Sequence, residues 1–333
     1  MIRKCHLASV VLALAALPCN GTARAVLWQA PGNITLNDWI WGAGGEIKAP
    51  KPPYQFVEED FHGTNPKIRV RDAKRDRWTV KFGGENHGGV FASRLLHALG
   101  YVTQPTYYAA SGTIAGVHDL KRAKAFVARD GSFRFAQFKL HKHKIVAPAD
   151  AEGWSWNDNP FVGTPQLSGL KILIMLTSNW DAKDARDGNG SNTSAYSKPG
   201  PNAGQRFYAF DDWGATMGKS GCFLERDKWD PAGYQEQTRN FVRMTPEGTI
   251  QWGYKGKHNP DIVSGISLAD IRWLMKYLSR VSDGELRAGL RASGATEPDI
   301  DTYTHAIRER IEQLQHLTEW ASTTAVVAGH RRD

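Results

Sequence analysis

From Tyr54 to about residue 140, apolar and polar positions alternate; beyond Thr164, apolar residues recur at helical spacing. The segments "YQFVEED", "KIRVRD" and "RWTVKFG" are separated by the turn-like "FHGTNP" and "AKRD", which predicts an antiparallel meander. In the third, a period of two puts Trp78 and Val80 on one face and Thr79 and Lys81 on the other. "GVFASRLLHALG" carries Phe91, Leu95, Leu96 and Leu99 at helical spacing and stops at Gly100. "YVTQPTYYAA" and "FRFAQFKLHKHK" supply further strands.

The second half reads as mostly helical. Thr164 and Pro165 suit the cap and first turn of "QLSGLKILIMLTSNW", whose apolar residues surround the axis and predict a buried helix. "SAYSKPGPNAG" reads as a flexible insertion, and "RFYAFDDWG" returns to strand. Ser267 with Asp270, and Ser282 with Glu285, have capping-box spacing ahead of two helices, and "DIDTYTHAIRERIEQLQHL" predicts a third. The expected architecture is α+β and two-lobed, a small antiparallel β-rich lobe with one helix beside a larger, mainly helical one. Its expected divisions are 1–25 as a leader, 26–55 as a wrapping segment, 56–150 and 151–320 as the lobes, and 321–333 as a tail.

The leader changes how composition is read. Arg3 and Lys4, the apolar "LASVVLALAALP", and "ARA" at Ala23, Arg24 and Ala25 form a signal peptide with cleavage expected after Ala25. A periplasmic or secreted protein is therefore expected, with no membrane span in the mature chain. Cys5 and Cys19 leave with the leader, so Cys222 has no partner for an internal disulfide. The formal net charge is +8, and the leader takes Arg3, Lys4 and Arg24 with it. The remaining excess suits an anionic ligand. No zinc-finger spacing, basic tail or paired aromatic signature points to nucleic acid. His141 and His143 in "KLHKHKI" share a strand face without a third ligand at suitable spacing and read as a basic strand edge.

Three pieces carry candidate chemistry: Lys81 near the end of "WTVKFG", the Asp-x-Lys of "NWDAK" after a buried helix, and the strand-ending Asp212-Trp213-Gly214. An acid that ends an apolar strand before Trp-Gly has few structural reasons to be there, and Asp211 is expected to be its exposed neighbour. In this order the pieces resemble the protein-kinase-like fold, and more closely its atypical branches: the phosphatidylinositol kinases, the HipA-type toxin kinases and the secretory-pathway kinases. "GTNPKIRV", with Gly63 and Lys67, resembles the Gly-x-x-Pro-Lys turn of HipA-like proteins. The segment from "NPFVGTPQ" to "YAFDDWGATMGK" is similar to a group of exported bacterial kinase-like proteins.

The resemblance implies phosphoryl transfer from ATP or another nucleoside triphosphate with Mg²⁺ or Mn²⁺, to an acceptor that is a protein, lipid or small molecule. It implies that Lys81, with Gly63 and Lys67, binds the nucleotide, that Asp212 holds the cation, and that Asp181 orients the acceptor hydroxyl while Lys183 meets the γ-phosphate. Two positions depart from the kinase pattern. Arg186 stands where a metal-binding asparagine is expected, leaving Asn189, Asn192 or Asp187 to take that role. Gly89 stands where the helix acid that pairs with the lysine is expected, and Glu85 is the nearest replacement. These departures keep open a pseudokinase that binds nucleotide or protein without catalysis. A metal-dependent phosphohydrolase built on Asp181, Asp184 and Asp212 is the third alternative.

Overall fold

The computed structural model describes residues 23–141, 152–188, 190–197 and 204–329, with side chains to 319. The first half runs β1 (Arg24–Val26), α1 (Leu36–Trp41), β2 (Tyr54–Asp60), β3 (Lys67–Arg71), β4 (Arg77–Phe82), α2 (Glu85–Ala98), β5 (Thr106–Ala115) and β6 (Ser132–Leu140). It continues with α3 (Pro165–Leu176), β7 (Thr193–Ser197), β8 (Gln205–Phe210), α4 (Pro231–Thr238), β9 (Val242–Met244) and β10 (Ile250–Trp252). Helices α5 (Asn259–Val263), α6 (Leu268–Leu278), α7 (Asp283–Ala292) and α8 (Glu297–Gly329) complete it. The architecture is α+β and two-lobed, as expected.

The small lobe closes on itself. Strands β2 to β6 form a barrel in the order β2-β3-β4-β6-β5, shut by a short parallel pairing of Tyr54 with Ile114. Alternation explains the closure: Ile68, Val70, Trp78, Val80, Phe82 and Phe138 all point inward and are fully buried. Each such side chain contributes roughly 1.5–3 kcal/mol of burial. Lys67 and Lys81 are register partners on β3 and β4, so both lie on one face of the sheet. Helix α2 begins at Glu85, earlier than the apolar spacing alone predicts, and ends before Gly100 at φ +84°.

The large lobe is built around α3, capped by Thr164 with Pro165 in its first turn and buried from Leu167 to Leu176. The capping boxes of α6 and α7 form as their sequences predict. One reading is corrected. The first part of "SAYSKPGPNAG" is strand β7, paired residue by residue with β8 from Thr193↔Phe210 to Ser197↔Arg206. Four consecutive residues of this strand, Thr193 to Tyr196, are buried, so there is no alternation along it to read. The segment 26–55 includes helix α1, whose Trp39 is fully buried, and β1 adds to β8 in parallel. Residues 198–203, Asn189 and His143 lie outside the described residues.

Candidate active site

Strand β4 delivers Lys81 to the junction of the lobes, where its Nζ is 3.1 Å from both carboxylate oxygens of Asp212. The Lys81 side chain is 11% exposed and that of Asp212 38%, so the pair is sheltered on the lysine side and open on the aspartate side. Burial alone would push Lys81 down, but the carboxylates of Asp212 and Glu85 outweigh it and hold the ammonium above the usual lysine range. Burial would likewise raise Asp212; Lys81, then Lys139 and the Gly214 N–H, hold it well below the usual carboxylate range.

The turn Gly83-Gly84 lets α2 start at once after β4, bringing Glu85 Oε2 to 3.4 Å from Lys81 Nζ. Glu85 therefore stands in the lysine-partner position that Gly89 cannot fill. A side chain at Gly89 would meet the Gln137 amide at 2.5 Å, so that turn of α2 lies against β6. Gly63 lies in the β2–β3 turn at φ +70°, and Lys67 Nζ is 3.9 Å from Asp60. Burial lowers Lys67, with Asp60, Asp212 and Glu85 opposing it and Lys81 adding to it.

Hairpin β7–β8 positions the acids of the large lobe. Asn192 immediately precedes β7, Asp211 and Asp212 follow β8, and the Asp211 N–H donates to the Asn192 carbonyl at 2.7 Å. Asn192 Nδ2 donates to the Asp181 carbonyl at 2.6 Å and to its carboxylate at 3.2 Å. The fully buried Asn179 completes the link: its amide donates to the Asp212 carbonyl at 3.1 Å, and its oxygen accepts from the Asp181 N–H at 3.1 Å. Lys183 Nζ is 3.3 Å from Asp181 Oδ2, and Lys257 Nζ is 3.9 Å from Oδ1. Asp211 is not the exposed neighbour expected. It is half-buried and accepts from Gln104 at 3.0 Å and from Ser194 Oγ.

Beyond Asp181 the loop turns to a second group. Arg186 donates to both oxygens of the wholly buried Asp184 and reaches Asp261 at 2.6 Å. Those two carboxylates raise the guanidinium above its usual range. Asp187 accepts from the Asp184 N–H at 2.8 Å and is 2.6 Å from His258 Nε2. Asp184, Asp187 and His258 bring ligand atoms within 4.8 Å of one another, but Arg186 Nη2, 3.0 Å from His258 Nδ1, already supplies that cluster with positive charge.

Sequence reading missed Asn179, Lys139, Lys228, Tyr254, Lys257 and His258. Only Asn179, two residues before Asp181, carried a local signal. The others arrive from distant segments: Tyr254 OH donates to the Asn179 carbonyl at 2.6 Å, and the Lys257 N–H to that of Trp180 at 2.9 Å. A cleft of about 670 Å³, lined among others by Gln29, Tyr101 and Phe207, includes none of Lys81, Asp181 or Asp212.

No protein-family model and no curated protein matches the sequence. Among solved structures, the chain is similar to the Golgi casein kinase crystallised with Mn and ADP, at a TM-score of 0.42 and 12% identity, covering 85% of this chain and 74% of that one. A second structure of the Golgi casein kinase gives a TM-score of 0.42 and 10% identity, with coverages of 88% and 76%. At these values the site rests on its own geometry.

Proposed function

We propose that the chain is an exported kinase-like phosphotransferase, using ATP or another nucleoside triphosphate with Mg²⁺ or Mn²⁺ and acting on a protein, lipid or small-molecule hydroxyl. The observation that carries this reading is the Lys81 ammonium, reaching from one lobe to within 3.1 Å of both oxygens of Asp212 in the other. A buried cation beside a half-open, fully ionised carboxylate is what triphosphate binding needs, because phosphoryl transfer depends on positioning and charge neutralisation. The donor set fits a hard cation: Asp212 offers open carboxylate oxygen, and Asn192, whose backbone carbonyl accepts from the Asp211 N–H, carries an amide turned to Asp181. Bound there, a divalent cation would be held by Asp212 and would supply charge neutralisation to the nucleotide phosphates.

In this reading Lys81 holds the α- and β-phosphates. Asp181 orients the acceptor hydroxyl and takes its proton as the new oxygen–phosphorus bond forms. The bond between the γ-phosphorus and the bridging oxygen breaks, and the nucleoside diphosphate leaves. Lys183 stabilises the charge on the transferred group.

Export belongs to the same proposal. Cleavage after Ala25 keeps the buried Val26 and Leu27 and removes Arg24 and Ala25, which open strand β1. N-terminal sequencing from an exporting host should begin at Val26; an intact Met1 overturns export. No helix among the described residues is long and apolar enough to cross a membrane.

Thermal shift tests the site. A ligand at about 100 times its dissociation constant adds roughly 2.7 kcal/mol of stability, a shift of about a few degrees for a chain of this size. The shift should require both ATP and Mn²⁺, vanish in Asp212→Asn, and persist in Asp181→Asn with phosphoryl transfer lost. No shift in the wild type overturns the reading. One observation favours a second reading, a nucleotide-binding module without catalysis: Arg186, five residues after Asp181, is fixed to Asp184 and Asp261. A shift without turnover selects it. Asp184, wholly buried against Arg186, lends no support to a phosphohydrolase.

A further inference from the structure

Glu85 has two cationic partners, and the nearer one comes from the other lobe. Lys228 Nζ is 2.6 Å from Glu85 Oε1, whereas Lys81 Nζ is 3.4 Å from Oε2. The Glu85 side chain is only 9% exposed, so its charge depends on these two ammonium groups. Gly214 also confines it: a methyl group there would sit 2.5 Å from Glu85 Oε2.

The segment bearing Lys228 is anchored to the large lobe. Trp180 Nε1 donates to the Asp227 carbonyl at 2.8 Å, and the N–H groups of Trp229 and Asp230 donate to Thr216 at 3.1 Å and Met217 at 2.8 Å. The Lys228 ammonium also lies 5.5 Å from the Trp180 ring. The next residue repeats the contact with α2: Trp229 stacks on His87 at 5.0 Å and 26°. The first turn of α2 is thus gripped at positions 85 and 87 by consecutive residues of one large-lobe segment.

We propose that Lys228 is a positioning residue of the Lys81–Asp212 site, holding Glu85, and through it the Lys81 ammonium, from the large lobe. This rests on the reading of that site as a nucleotide site. Glu85 pairs with Lys228 and Lys81, while Asp212 is held by Lys81 and by the charge of Lys139. Without Lys228, Glu85 loses its nearer cation and competes with Asp212 for Lys81.

The experiment measures ATP·Mn²⁺ affinity of the mature chain by titrated thermal shift in wild type, Lys228→Met, Lys228→Arg, Glu85→Gln and the Glu85→Gln/Lys228→Met double variant. Lys228→Met should weaken binding about tenfold, Lys228→Arg by less than about twofold, and Lys228→Met within Glu85→Gln by less than about twofold more. The melting temperature without ligand should fall in Lys228→Met, because Glu85 is only 9% exposed and loses its nearer cation, so affinity is compared per folded molecule. Unchanged affinity in Lys228→Met, or an undiminished loss in the Glu85→Gln background, overturns the role of Lys228 alone. A wild type that does not bind ATP·Mn²⁺ overturns the nucleotide site and this role with it.

Discussion

Asp212 and Asp184 both face a cation, Lys81 from a distant strand and Arg186 from the same loop, and both are held below the ordinary carboxylate range. Their surroundings differ. The oxygens of Asp184 accept from the N–H of Trp156, the N–H of Arg186 and the Arg186 guanidinium, and its side chain is wholly enclosed. Asp212 accepts from Lys81 and the Gly214 N–H and leaves 38% of its side chain open. A carboxylate whose acceptor capacity is spent inside the protein holds a loop in shape. One that keeps an open oxygen beside a buried ammonium has room for a ligand. The loop from Asp181 to Asp187 spans both cases, since Asp181 is joined to Asp212 through Asn179 while Asp187 turns to His258.

The largest effect that would break this contrast lies at Asp184. Asp184→Ala strips the guanidinium and two N–H groups of their acceptor, which costs about 2–3 kcal/mol in a buried site. It should lower the melting temperature by about several degrees. Affinity for ATP·Mn²⁺ per folded molecule should stay within about twofold of wild type. A variant that keeps its melting temperature but loses the metal-dependent shift would make Asp184 part of the ligand site.

A smaller effect sharpens the other side. In Gly214→Ala the added carbon would lie 2.5 Å from Glu85 Oε2 and 2.9 Å from Glu85 Cβ, so the carboxylate must move. Affinity for ATP·Mn²⁺ should fall about tenfold, or about 1.4 kcal/mol. Glu85→Gln should blunt that loss, because the amide carries no charge to misplace. Equal losses in both backgrounds would mean that Glu85 does not transmit the change.

How far such a site can be read in advance depends on where each partner lies along the chain. Lys81 and Asp212 were legible because strand periodicity ends at both and each meets a glycine within two residues. Glu85 was legible as the nearest acid after Lys81. Strand pairing brings Lys67 beside Lys81, which follows from register once the meander is read. Lys228, Tyr254 and His258 were not legible. Their contacts join positions |i−j| = 143, 75 and 71 apart, with no spacing rule between them. Asp211 was misjudged because strand period sets only which face a residue occupies, whereas Gln104 and Ser194 arrive from other segments.

The smallest effect concerns the second cluster in acid. Burial would raise the Asp187 carboxyl, but the His258 hydrogen bond, the Asp184 N–H and the Lys257 charge outweigh it, so it sits below its ordinary value. An unfolded aspartate titrates near about 3.9. The folded state therefore binds this proton less readily, and the stabilisation is fully present above that value and drains as pH falls through the folded one. For a partly exposed pair the whole contribution is about 1 kcal/mol or less. Asp187→Asn should accordingly melt slightly below wild type at pH 7, and the gap should close as pH falls below about 4. Asp184 titrates in the same window and lowers both proteins together, so only the difference between them reports on Asp187. If the gap is unchanged down to about pH 3.5, the ionised Asp187 carboxylate is not what ties the loop to His258. A metal-dependent nucleotide shift lost in Asp187→Asn at pH 7 would move Asp187 from the self-contained cluster to the open one.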